Sequence, residues 1–322
     1  MTRALLVAAG LGLVFAVAII VYAGLGDVTQ AFAAVGYGLI VIVLLRAAEL
    51  AGAGFAWWIV IPPAEKPSPH LCVHVRLIRE AINTLLPVAQ VGGEIAGARV
   101  MTFYGMSAGL AGATVLVDTL MQVVSLFLFV IVGVGILATY GADDALVGSM
   151  MAGISLMGVA LAGFFVAQRF GGAKLLDRAL MALAGRFGWS SLANLASLHD
   201  NLVRIYGDVP RFVLALLVHL AFWFLGALEV VVALTLMGYP VSYVDAVVIE
   251  SLGQAIRAAG FLIPGALGVQ EAGFVAVCAV FGIPAPAALA LSLVKRVPEF
   301  VLGPPFLFAW HAQETKALVR KP

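Results

Sequence analysis

The chain has 322 residues, 63% hydrophobic and 11% charged, with a formal net charge of +1 and a mean hydropathy of +1.10. A soluble domain is nearer half apolar and a quarter charged, so no water-exposed globule of this size could hide so much apolar surface. The near-neutral charge excludes a broad nucleic-acid-binding field, and two cysteines, Cys72 and Cys278, exclude a disulfide framework and read as packing residues.

A hydrocarbon core about 30 Å thick takes ~20 helical residues. The first apolar run, Ala4–Gly24, is longer than a signal-peptide core and is expected to remain as a span. Val35–Ile61 is the second span. The region from Leu71 to Met106 is also apolar, but Pro87 and Gly92-Gly93 break it into halves too short for an upright crossing. Broken backbone at membrane depth is tolerated where protein or a watery cavity surrounds it, so this region is expected to form a re-entrant helical hairpin. Leu110–Tyr140 and Leu146–Gln168 are further spans. Residues 169–210 are the most polar stretch. Leu175, Leu176, Ala179, Leu180 and Leu183 recur there at helical spacing beside Lys174, Asp177 and Arg178, which fits a cytoplasmic amphipathic connector or a plain solvated arm. Arg211–Met237 spans again. Tyr243 to Ile283 is a second broken region, interrupted at Pro264-Gly265 and Gly268, and Pro286–Trp310 is the last span. The expected fold is all-α: one polytopic membrane domain over residues 1–322, with about six full spans and two re-entrant hairpins.

Charge sets the orientation. With the N-terminus inside, the inner segments hold Lys66, Arg76, Arg79, Arg169, Lys174, Arg178, Arg186, Arg204, Lys316, Arg320 and Lys321. The outer loops hold Asp27, Asp143, Asp144 and Asp245 and no Lys or Arg. That is the positive-inside pattern, with both termini cytoplasmic.

The two broken regions share a skeleton. Pro87, Glu94 and Gly105 correspond to Pro264, Glu271 and Gly282, each 177 residues on (264 − 87, 271 − 94, 282 − 105). Residues 35–140 and 211–311 therefore read as repeat units, each a span, a hairpin and a span, inverted by the loop charges. Inverted repeats with broken helices mark secondary transporters, whose site lies near the midplane. Duplication kept for packing alone is the alternative.

Thirteen ionisable residues fall in apolar segments: Arg46, Glu49, Glu80, Glu94, Arg99, Asp118, Glu229, Glu250, Arg257, Glu271, Lys295, Arg296 and Glu299. Ten of them facing lipid would cost on the order of 25–35 kcal/mol, more than a fold's net stability of about 5–15 kcal/mol. Most must face protein, water or one another. Arg46 and Glu49, Arg296 and Glu299, and Lys295 and Glu299 have the spacing of intrahelical ion pairs, and Pro298 is expected to break the local helix and free a carbonyl. Glu94 and Glu271 each follow a break and open a half-helix. They read either as N-terminal caps or as a paired cation or proton site. Arg99, Arg257, Lys295 and Arg296 would offer counter-charge to a phosphate. Together with Asp118 and Glu299, these are the candidate binding residues. His219 is a further polar residue at depth. No HExxH, CxxC, P-loop or GxSxG motif occurs, so neither catalysis nor a metal or other cofactor is expected.

Three strings carry a family resemblance: Arg79-Glu-Ala-Ile-Asn-Thr-Leu-Leu-Pro-Val-Ala-Gln-Val-Gly-Gly-Glu94, Ile263-Pro-Gly-Ala-Leu-Gly-Val-Gln-Glu271 and Leu293-Val-Lys-Arg-Val-Pro-Glu299. The chain resembles the membrane domain of the lysylphosphatidylglycerol synthase/flippase superfamily along nearly its whole length, and its length and layout are most similar to the hopanoid-biosynthesis-associated HpnL branch. The resemblance implies a bacterial inner-membrane protein that moves a lipid between leaflets, a hopanoid or an anionic or prenyl lipid among the candidates. A coupling ion or proton, a second copy of the chain and lipid-biosynthesis enzymes are the further expected partners. No counterpart of the synthase's soluble aminoacyl-transferase domain is expected after the last span, so synthase chemistry is not carried over. Relatives place an Arg-Leu-Gly-Glu-like run where this chain has Gln90-Val-Gly-Gly-Glu94, so an arginine contact at position 90 is not expected. A non-catalytic scaffold for lipid biosynthesis and a membrane-embedded lipid-modifying enzyme are the competing readings.

Overall fold

The computed structural model describes residues 25–86, 91–140, 148, 152–153, 155–159, 161–163, 165–166, 198–260, 263 and 266–319. The expected span Ala4–Gly24, residues 169–197 of the connector, and Pro87, Pro264 and Gly265 lie outside the described residues. Every regular element described is helical: α1 (Leu25–Val35), α2 (Gly38–Val60), α3 (Pro69–Leu85), α4 (Gly92–Phe103), α5 (Ala108–Thr139), α6 (Leu198–Gly207), α7 (Val209–Leu236), α8 (Tyr243–Ala259), α9 (Val269–Val280) and α10 (Ala285–Val319), with a 3₁₀ turn at Pro63–Glu65.

Local chemistry sets the ends. Ser68 and Ser107 cap α3 and α5, their hydroxyls accepting the N–H of Leu71 and Leu110 at 3.3 Å. Ser242 and Asp245 cap α8 reciprocally. The expected span from Val35 starts later than the sequence suggests, because Gly36, at φ +47°, turns the chain between α1 and α2.

Among the described residues, α2, α5 and α7 are long and apolar enough to cross a membrane. The shortest of them, α2, has 23 residues and is about 35 Å long. The outer faces of α2 and α7 carry exposed Leu44, Leu214 and Leu217, which suit lipid contact. The last expected span, Pro286–Trp310, lies within the 35-residue α10. This helix continues through Pro298, where the sequence suggests a break, and through Pro304 and Pro305. Each proline removes one backbone hydrogen bond from the helix.

The two broken regions form helical hairpins, α3 on α4 and α8 on α9. Small residues allow the close approach. A Cβ at Gly93 would lie 2.2 Å from the Arg79 carbonyl, and one at Gly97 2.6 Å from the Arg79 side chain. In the second hairpin Gly253 faces Phe274 and Gly273 faces Ile256. Gly93→Ala must therefore push α4 off α3. It is expected to cost about 1–3 kcal/mol, read as a lowered unfolding temperature in detergent, whereas Gly135→Ala, with open space at its Cβ, leaves it unchanged.

The helix boundaries repeat in register. α4 and α9 each have 12 residues. They start 177 residues apart (269 − 92), as do α5 and α10 (285 − 108). Gly105 and Gly282, at φ +90° and +69°, make the turn that follows each short helix.

Among the described residues the apolar interior falls into two large clusters and a small one around Ile78, Ile82 and Ala96. One core gathers the C-terminal part of α2 (Trp57, Val60), the N-terminal part of α5 (Leu110, Met121), α3, α4 and α6. The other gathers Ile42 of α2, Phe129 and Val134 of α5, the C-terminal half of α7, and α8 to α10. The three long helices run through both cores, and a polar band separates them.

The described part of the connector, α6, buries Leu198, Leu202 and Ile205 against α5. Arg204 of α6 makes two hydrogen bonds to Glu65, at 3.0 and 2.9 Å. These bonds hold the exposed Glu65 carboxylate below its ordinary pKa. A depressed carboxylate pKa adds stability above the unfolded-state value and loses it as pH falls through the folded-state value. Both groups are about half exposed, so the contribution is small. Glu65→Gln is expected to lower the unfolding temperature slightly at neutral pH. The gap from the wild type should close as the buffer is acidified through Glu65's own titration.

Candidate functional site

The polar band holds a cavity of about 230 Å³. It lies at the mid-length of the three long apolar helices among the described residues: Glu49 and Leu50 in α2, Gln122 and Val123 in α5, Phe222 and Trp223 in α7. Helices α3, α4 and α8 complete the wall with Glu80, Glu94 and Arg257. Three arginines (46, 76 and 257) and three glutamates (49, 80 and 94) line it, so its ionic lining is balanced in sign.

Two ion-pair networks flank this space. In the first hairpin Arg79 is fully buried, over the ring of Trp57 at 4.9 Å. It pairs with Glu94 and with Asp118, the latter at 2.6 Å. Thr119 donates to Glu94 (3.2 Å), and Asn83 joins the Gly93 N–H to the Glu94 carboxylate at 2.8 and 3.2 Å. His219 of α7 closes the chain, its Nε2 3.0 Å from Asp118. These bonds bring the tip of α4 to α5 and α7. The second network is longer. Arg76 pairs with Glu80 (3.4 Å), Glu80 with Arg46 (2.9 Å) and Arg46 with Glu49 (2.8 Å). Beside it Lys295 holds Glu229 at 2.6 Å and Glu250 at 2.9 Å.

The residues singled out by sequence are only partly assembled. Glu94 and Arg257 open on the cavity. Asp118 lies behind it, completely buried. Glu271 is almost fully buried in α9, accepting from the Gly268 N–H (2.7 Å) and pairing with Arg296 (2.8 Å). It does not line the cavity, and Glu94 and Glu271 sit in separate networks. Gly92 and Gly93 begin α4, and Gly268, at φ +78°, precedes α9. Arg257 and Glu299 pair at 2.5 Å. Arg99 is held elsewhere, by Glu314 of α10 at 2.7 Å.

Of the three intrahelical pairs suggested by spacing, Arg46–Glu49 forms. Among the described residues the ion pairs of Lys295, Arg296 and Glu299 run to other helices, which surround and desolvate them more fully than a neighbour one turn away could. Arg76 and Arg79, counted among the inner-segment charges, are buried in α3 and carry no weight for orientation. Sequence reasoning noted Arg46, Glu49, Glu80 and His219 as polar groups at depth without placing them at a site, and singled out neither Gln122 nor Gln254 as a site residue. Position at mid-span was the signal that would have found the first, second and fourth of these, and Gln122.

A family model described as lysylphosphatidylglycerol synthase TM region matches residues 7–303. The chain belongs to this family. Membership makes it a multi-pass membrane protein tied to membrane-lipid function, in agreement with the spanning helices. No curated protein and no solved structure gave a match. The family match covers both hairpins, both networks and the cavity between them.

Proposed function

We propose that this family member is a non-enzymatic lipid flippase. It carries the polar headgroup of an amphipathic lipid through the mid-depth cavity while the tails stay in the surrounding bilayer. The observation behind this reading is the place of the cavity, an ion-lined space at the middle of the three long apolar helices. A bare headgroup must leave water to cross about 30 Å of hydrocarbon. A polar chamber halfway replaces part of the lost solvation. Arg46, Arg76 and Arg257 would meet a phosphate, and the facing glutamates would meet a cationic group.

In this reading residues 35–140 and 211–311 are inverted repeats with their hairpins entering from opposite faces, as in transporters that alternate access around a central site. The helix register at a constant offset supports it. The protein then lies in a bacterial inner membrane with both termini cytoplasmic. A hopanoid, an anionic phospholipid and a prenyl phosphate form the panel of cargo lipids, following the family resemblance. The test is reconstitution into liposomes with labelled members of that panel. Leaflet exchange faster than in empty vesicles is expected for at least one lipid, with its chemical structure unchanged by mass spectrometry. Exchange at the empty-vesicle rate for all of them defeats the flippase reading, and an altered product favours an enzyme.

A further inference from the structure

Among the described residues, two neighbouring clusters are together one positive charge short. Arg46 and Arg76 pair with Glu49 and Glu80, and beside them Lys295 alone holds both Glu229 and Glu250. An uncompensated charge in a low-dielectric interior is expensive, and such groups take up or lose a proton instead. The atoms show where. Glu49 and Glu229 are at least nine-tenths buried, and among the described residues neither Glu49 Oε1 nor Glu229 Oε1 has a hydrogen-bond partner. Glu49 Oε1 and Glu250 Oε1 converge on Gly226, lying 2.8 and 3.6 Å from where its Cβ would be. A side chain at position 226 would fill this space.

We infer that Glu49, with Glu229 and Glu250 beside it, forms a proton-binding site on the cavity wall, and that Glu49 carries the proton at neutral pH. The missing charge is assigned to a proton, because a buried carboxylate short of counter-charge neutralises itself by taking one up. The proton enters from and returns to water in the cavity, which Glu49 lines. The charges facing the site are Arg46 on its own helix, Arg76 and Glu80 on α3, Glu250 and Arg257 on α8, and Lys295 and Glu299 on α10. Glu229 and His219 face it from α7, and Gln254 donates to Glu250 at 2.8 Å. Arg257 and Glu299 compensate each other, while Arg79, Glu94, Asp118 and His219 form their own network, so neither set supplies the missing charge.

Infrared difference spectroscopy of the full chain in lipid nanodiscs tests this site without reference to transport. A carboxylic-acid C=O band is expected at neutral pH, shifting on deuteration and lost in Glu49→Gln but kept in the surface variant Glu65→Gln. Glutamine imitates the protonated carboxyl, so Glu49→Gln is expected to keep the wild-type unfolding temperature. A variant that does not fold, a band that survives it, or no band at all overturns the proposal. Loss of the band when sodium replaces potassium at fixed pH overturns it in favour of a sodium site. The link to transport rests on the flippase reading and has its own assay. An imposed pH difference should change leaflet exchange at least severalfold in the wild type and have no effect in Glu49→Gln. Should no lipid exchange be seen at all, the flippase reading falls while the spectroscopic result still decides the proton site.

Discussion

Replacing Arg79 with methionine is expected to destabilise the protein more than any other single change at the site. The guanidinium is fully buried and holds Glu94 and Asp118 together. Methionine keeps most of the volume, so the loss is electrostatic: two carboxylates remain, one of them with no exposure to water. Breaking a buried ion pair from one side costs about 3–5 kcal/mol, a large part of a net stability of about 5–15 kcal/mol. Thermal unfolding in detergent should show a fall in midpoint and a loss of monodisperse protein. Adding Asp118→Asn to Arg79→Met removes the stranded charge and should recover part of the loss, because Glu94 still reaches the cavity and its water. An unchanged midpoint in Arg79→Met would mean that this network does not hold the first hairpin in place.

The second large effect separates two residues that the sequence treats as equals. Glu271 uses one oxygen for the Gly268 N–H and the other for Arg296 and Ser292. Glutamine would turn an N–H₂ toward one of those donors whichever way it faced, leaving a buried donor–donor contact. Glu271→Gln is therefore expected to cost about 3–5 kcal/mol in stability. Glu94 lines the cavity, and its partner Arg79 keeps Asp118 when the charge is removed. Glu94→Gln should thus fold well and slow lipid exchange roughly tenfold, the effect of about 1.4 kcal/mol in a barrier. Equal thermal losses in the two variants would restore the symmetric picture of paired hairpin tips.

That difference marks how much can be read in the chain. Apolar run length located α2, α5 and α7 to within a few residues, because twenty residues of hydrocarbon-compatible side chains leave few alternatives. Glycine and proline punctuation located both hairpins, and the constant offset anticipated the register of α4 with α9. Partner choice was not legible. Lys295 and Glu299 have good intrahelical spacing, yet they pair with Glu229 and Arg257 on other helices. Spacing along one helix carries no information about which neighbours the packing will bring. Arg79 was overlooked for a related reason. In the sequence it sits next to a polar stretch and resembles a loop charge, and only the packing of Gly97 against its stem shows why it can be buried.

Helix α10 ties these parts together mechanically. Its 35 residues make a rod about 50 Å long. Near one end Lys295 and Arg296 grip α7, α8 and α9, and near the other Glu314 grips Arg99 of α4. Between the grips, Pro298, Pro304 and Pro305 leave the carbonyls of Val294, Phe300 and Val301 without their usual amide donors. A rod clamped on both sides and missing rungs in its middle is expected to flex there first, passing a shift of the first hairpin to the second as a change of bend.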